Sequence, residues 1–207
     1  SCALALEATN TCHLDTAEIA HELGHDVYVI DGSRLNKYRD GIGVRAKTDA
    51  LDAVLLARYL GKESDKLRVW SPPPKAYTQL KSLLRRRAEL VRHRVAIKQS
   101  WRDEPLLEEA LGEYLRCVEQ IEKGIQKALK NIVSEAGMDA QVKRCQAVEG
   151  IGVLTATAAV TAFMRGEFSD SDGFIAFLGM DPRVRQSVKK DQKRYLSKRG
   201  DSEFRRL

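Results

Sequence analysis

A chain of 207 residues with 43% apolar content can bury one sizeable core or two smaller ones, which excludes a disordered or fibrous protein. No stretch approaches the ~18 consecutive apolar residues of a membrane span, and the first residues lack a signal peptide's charged region and cleavage site, so a soluble, cytoplasmic protein is expected. The net charge of +6 is unevenly spread: residues 75–102 carry nine Lys or Arg against one acid (Glu89), and residues 183–199 carry eight against one (Asp191).

In chain order, Ala3-Leu4-Ala5-Leu6 reads as a short strand, and Leu14, Ala17, Ile19, Ala20 and Leu23 have helical spacing closed by Gly24. Asp26-Val27-Tyr28-Val29-Ile30 reads as a second strand that ends at the turn signal Asp31-Gly32. Strand, helix and strand make an α/β unit. A further helix is predicted from near Thr48 to Leu60, with Leu51, Val54, Leu55 and Leu56 turned inward. Ser71-Pro72-Pro73-Pro74 then reads as a linker, because three prolines fix an extended path.

The linker separates a domain over 1–70 from a helical region over 71–136. There Leu80, Leu84, Ala88, Val91 and Val95 line a long basic helix, and Leu107, Leu111, Tyr114, Val118, Ile121, Ile125, Leu129 and Ile132 recur at coiled-coil spacing. A reversal between Trp101 and Pro105 makes the pair an antiparallel hairpin, and so long an apolar stripe also suits a second subunit in a homo-oligomer. A third region, 137–207, holds a helix from about Val153 to Phe163, a shorter one near Phe174 to Leu178, a basic stretch from Pro182 to Arg199, and the start of another helix near Ser202. Cys2, Cys12, Cys117 and Cys145 lack metal-ligand or disulfide spacing and read as reduced, mostly buried thiols.

Lys47-Thr48-Asp49-Ala50-Leu51-Asp52-Ala53 sets two carboxylates three residues apart at a helix start, so they share a face and can hold Mg²⁺. A plain capped helix start, with Thr48 as cap and acids at the positive dipole end, explains the same residues. Glu7 adds a third carboxylate at the end of an α/β strand, where functional groups gather. Gly150-Ile151-Gly152 before an Ala-rich helix suits either a phosphate-binding helix-hairpin-helix turn or a tight interhelical turn. The basic windows offer Arg85, Arg86 and Arg87, then Arg183, Arg185, Lys189, Lys190, Lys198 and Arg199, with Lys47 apart, as contacts to nucleic acid. A solvated helix face accounts for such charge as well.

Glu7-Ala8-Thr9 followed by Lys47-Thr48-Asp49 and Asp52 resembles the DEDD-type transposases of the insertion-sequence-110 family, related to the Piv DNA invertase. The later order Gly179-Met180-Asp181-Pro182, Gln186-Ser187, Ser197-Lys198-Arg199-Gly200-Asp201 and Arg205-Arg206-Leu207 resembles the same family's transposase domain. The resemblance implies an α/β RuvC/RNase H-like domain, then a helical coiled-coil hairpin and a mostly helical transposase domain with a helix-hairpin-helix-like turn. It implies Glu7, Asp49 and Asp52 as Mg²⁺ ligands, with the family's first aspartate on a strand that precedes this sequence. It further implies Ser187 as the nucleophile that becomes linked to DNA, with Val188 where the family usually has glycine, and a bridge RNA as guide. A carboxylate-only nuclease or junction resolvase, and a non-catalytic nucleic-acid-binding fragment, are the rival expectations.

Overall fold

Alternation along Ala3–Glu7 (β1) and Asp26–Ile30 (β2) sends successive side chains to opposite faces of a two-stranded sheet. The computed structural model describes residues 1–207 except Asn10, Arg45, Lys47, residues 183–185, 188–189 and 192–194, Asp201 and Glu203. Most described residues are helical, and they form two compact units, Ser1–Pro72 and Pro73–Leu207.

In the first unit β1 and β2 pair in parallel, with Leu4 opposite Val27, Leu6 opposite Val29 and Glu7 opposite Ile30. Parallel strands need a crossover, and Leu14–Glu22 (α1) provides it. Leu4, Leu6, Val27 and Val29 pack on one side against Ala17, Ala20 and Trp70, whose N–H donates to the Val27 carbonyl at 2.6 Å. On the other side Ala5 and Ile30 are covered by Leu35 and Tyr38 of Gly32–Gly41 (α2) and by Leu55, Leu56 and Tyr59 of Asp49–Glu63 (α3). Tyr38 and Tyr59 meet edge to face, their ring centres 4.9 Å apart.

The inward stripe of α3 departs from the expectation. Leu51 and Val54 are 41% and 65% exposed, while Leu55 and Tyr59 are buried. Residues 52, 55, 56 and 59 are spaced as well for a helix as the expected set, and the stacking of Tyr59 on Tyr38 settles the rotation in their favour. Asp52 thereby takes an inward position.

In the second unit Lys75–Ser100 (α4) and Glu108–Glu135 (α5) run antiparallel, and Asp139–Gln146 (α6) and Val153–Phe163 (α7) close a core of Leu80, Leu129, Val133, Val142, Ala156 and Val160. Glu122, rather than the expected Ile121, occupies the inward step of α5: Ile121 is 47% exposed and Glu122 is buried. Its carboxylate joins Arg87, 3.0 Å from Oε1, and Arg94, which donates to Oε2. Two guanidinium groups on one face of α4 and a single carboxylate on α5 fix how the helices slide past each other. Glu122→Ala should cost about 3 kcal/mol, the low end for breaking a buried ion pair, because Arg94 is a third exposed and can rehydrate while Arg87 cannot. Denaturant unfolding measures the loss, and a cost under ~1 kcal/mol would place the triad with ordinary surface pairs.

Ser171–Leu178 (α8) ends at Gly179, whose φ of +69° is the left-handed region that favours glycine. A Cβ there would stand 2.2 Å from the Gly200 backbone N, and one on Gly200 would stand 2.2 Å from the Leu178 carbonyl carbon. Two stretches of main chain therefore cross at contact distance. Ser197 donates its N–H to the Asp181 carbonyl at 2.7 Å and its hydroxyl to the Asp181 carboxylate, and Arg205 Nη1 donates to the Leu178 carbonyl at 3.0 Å. Above this crossing Pro182 bridges Leu196, and Gln186–Ser187 (β3) pairs antiparallel with Lys190–Asp191 (β4). The helix expected from Ser202 is a single 3₁₀ turn at Phe204–Arg206. All four cysteines are free thiols, but Cys2, Cys12 and Cys117 are exposed and only Cys145 is half-buried, so the expected burial fails for three of them. Among the described residues no helix is long and apolar enough to cross a membrane.

Candidate functional site

The carboxyl edge of the parallel sheet gathers the polar groups of the first unit. Glu7 ends β1 on the same face as Ala5, the side covered by α2 and α3. Its carboxylate lies over the first residue of α2: a Cβ on Gly32 would stand 2.5 Å from Glu7 Oε1. Only glycine admits that approach, and the partly positive N-terminal end of α2 favours the negative charge.

Asp31, which precedes Gly32, has a structural task. Its Oδ1 accepts from the N–H groups of Ser33 and Arg34 at 3.0 and 3.1 Å and from the Ser33 hydroxyl at 2.6 Å, capping α2. The Ser33 hydroxyl holds the Asp31 pKa below the ordinary carboxylate value against the opposing pull of burial, and the two backbone N–H groups add to the lowering.

Asp49 and Asp52 stand in the first turn of α3, capped by Thr48, whose Oγ1 accepts from the Leu51 N–H at 3.3 Å. Asp49 is exposed. Asp52 points inward and pairs with Arg39 of α2, Nη2 to Oδ1 at 2.5 Å, while Arg39 Nη1 donates to Asn36 Oδ1 at 2.7 Å. Both members of the pair are largely buried, with 10% and 15% of their side-chain surfaces exposed. Sequence reasoning missed Arg39. The available signal was its place four residues after Leu35, which puts a charged side chain on the buried face of α2.

Glu7, Asp49 and Asp52 thus all belong to elements on one side of the sheet, and as oxygen donors they suit a hard divalent cation. They do not close around an ion: among the described residues no three His, Cys, Asp or Glu side chains gather closely enough to hold one.

In the second unit Arg85 and Arg86 are exposed, Arg86 pairing with Glu89 at 3.0 Å. Arg87 instead turns to Glu122, so the predicted trio divides into two solvent-facing cations and one committed to the helix pair. Gly150, with φ of +85°, and Gly152, the residue before α7, form the turn from α6, and a Cβ on either would meet nothing within 4 Å. Lys198 and Arg199 are exposed beside the backbone crossing. Ser187 and Lys190 are opposed across β3 and β4, and Lys47, Arg183, Arg185 and Lys189 lie outside the described residues.

A carboxylate-bearing α/β unit joined to a basic helical unit is the layout of a class of DNA-rearranging proteins, and comparison with known families agrees. The DEDD transposase family of IS110 type matches residues 1–110, and the family described as "Transposase IS116/IS110/IS902 family" matches residues 142–207. The chain belongs to the IS110 transposase family. It is 28% identical to the pilin gene-inverting protein of Moraxella bovis over 89% of this chain, and 29% identical over the whole chain to the "Probable family 20 transposase" of Pseudomonas aeruginosa. The chain spans 58% of the first of these proteins and 69% of the second.

Proposed function

We propose that this chain is the working part of a DNA transposase or site-specific recombinase that cuts and rejoins phosphodiesters. The observation that carries the reading is the joint family match, one segment spanning the carboxylate unit and the other the second basic window. In this reading the first unit is RuvC-like, and Glu7, Asp49 and Asp52 hold Mg²⁺. The ion would supply charge stabilisation to a phosphodiester under attack and lower the pKa of a bound water or hydroxyl. Ser187 is the nucleophile, and Lys198 and Arg199 with the other cations of residues 183–199 hold the phosphate and spread its developing charge. The glycines at 150 and 152 let a phosphate approach the backbone N–H groups that open α7. The α4–α5 hairpin serves as a coiled coil for a second copy, and a structured bridge RNA directs the protein to its DNA.

Binding tests the nucleic-acid part of this reading. The logarithm of the affinity for duplex DNA should fall linearly with the logarithm of salt, and each lost phosphate contact should reduce the slope by roughly 1. Arg85→Gln with Arg86→Gln, or Lys198→Gln with Arg199→Gln, should each show that reduction, whereas Arg87→Gln should act mainly on stability through Glu122. An affinity indifferent to salt would leave both basic windows as solvated surface.

A further inference from the structure

The ion pair of Arg39 with Asp52 has no part in the function so far described, yet it engages one of the three carboxylates assigned to the metal. The guanidinium sits where a cation would sit. It is 2.5 Å from Oδ1, largely buried with its partner, and tethered at its other nitrogen to Asn36. An ion on the same carboxylate, at the usual Mg–O distance of about 2.1 Å, would stand within roughly 5 Å of Nη2. Like charges that close cannot share the site without cost: even with water-like screening, a unit charge about 6 Å from a divalent ion changes its affinity about tenfold. The pair also accounts for the open arrangement of the carboxylates. With Asp52 already neutralised by an internal partner, nothing draws Glu7 and Asp49 toward it.

We propose that Arg39 is the resident counter-ion of Asp52, and that a divalent cation enters the carboxylate site by displacing it. The proposal rests on the reading of Glu7, Asp49 and Asp52 as ligands. Arg39 is a positioning residue: it holds Asp52 inward and charge-balanced while the site is empty, and it sets the threshold for metal entry. Its tether to Asn36 keeps the released guanidinium on α2 and ready to close again when the ion leaves.

Titration of this chain with Mn²⁺ alone, followed by the EPR signal of the free ion, tests the exchange without reference to activity. Arg39→Gln should bind Mn²⁺ about tenfold tighter than the parent, and the same exchange in an Asp52→Asn background should gain less than about threefold, since the contested carboxylate is gone. The parent protein supplies a second measurement that no folding defect can cloud. With ¹⁵N-labelled arginine, addition of Mg²⁺ should shift the Arg39 side-chain signals and speed their exchange with water. If Glu7→Gln, Asp49→Asn and Asp52→Asn weaken Mn²⁺ binding while Arg39→Gln binds no tighter and the Arg39 signals stay still, the displacement is wrong and the carboxylate site stands. If none of the three carboxylate exchanges alters Mn²⁺ binding, the carboxylate site itself falls and the displacement with it.

Discussion

Ser187→Ala should abolish recovery of a covalent protein–DNA adduct and of recombined product, by at least about 10⁴-fold, the scale on which an enzyme loses rate when its nucleophile is removed. Binding of DNA should change by less than about 1 kcal/mol, as expected for a small substitution away from any core. The two readouts separate because they depend on different things. Affinity for a polyanion sums many Lys and Arg contacts, whereas a covalent step needs one oxygen in line with the scissile phosphate. The backbone supports the substitution as a clean one: Ser187 pairs with Lys190 in a short antiparallel ladder that alanine can enter without losing an N–H or a carbonyl. Adduct formation by the alanine protein at the parent rate would remove Ser187 as nucleophile and favour a carboxylate-only nuclease.

Asp49→Asn should slow strand cleavage by at least about 10²-fold, since even the outer partners of metal ligands cost 10- to 100-fold when removed and a direct ligand should cost no less. Stability should scarcely change. Asp49 is exposed in the first turn of α3, where its charge contributes about 0.3–1 kcal/mol through the helix dipole. A fall in cleavage with an unchanged unfolding midpoint therefore reports the site and not the fold. Mg²⁺ at raised concentration should recover part of the loss, which it cannot do for Ser187→Ala. Parent-level cleavage by the Asn protein would leave Asp49 as a dipole-complementing acid beside the Thr48 cap, the ordinary role of such residues.

Much of the local structure was legible before any coordinates. The strand Asp26–Ile30 and the helix Val153–Phe163 follow from β-branched content and from Ala-rich spacing between turn residues. The placement of Glu7 at a strand end, and of Asp49 and Asp52 behind the Thr48 cap, is likewise a local matter, because caps and strand ends are built from neighbours in sequence. The two basic windows needed only counting.

What tertiary structure alone decided are the pairings between distant segments. Periodicity defines an apolar face only to within about one residue, or 100° of rotation. It therefore could not tell that Leu51 and Val54 would face solvent while Asp52 turned inward, or that Glu122 would take the buried step beside Ile121. Each of those inward acids is balanced by arginine from another element, Arg39 for Asp52 and Arg87 with Arg94 for Glu122, at separations of 13 and 28 residues for the bonds from Arg39 and Arg94. An ion pair across such distances leaves no mark in local composition. The same holds for Gly179 and Gly200, which read singly as turn residues but are required because two backbones pass where no Cβ fits.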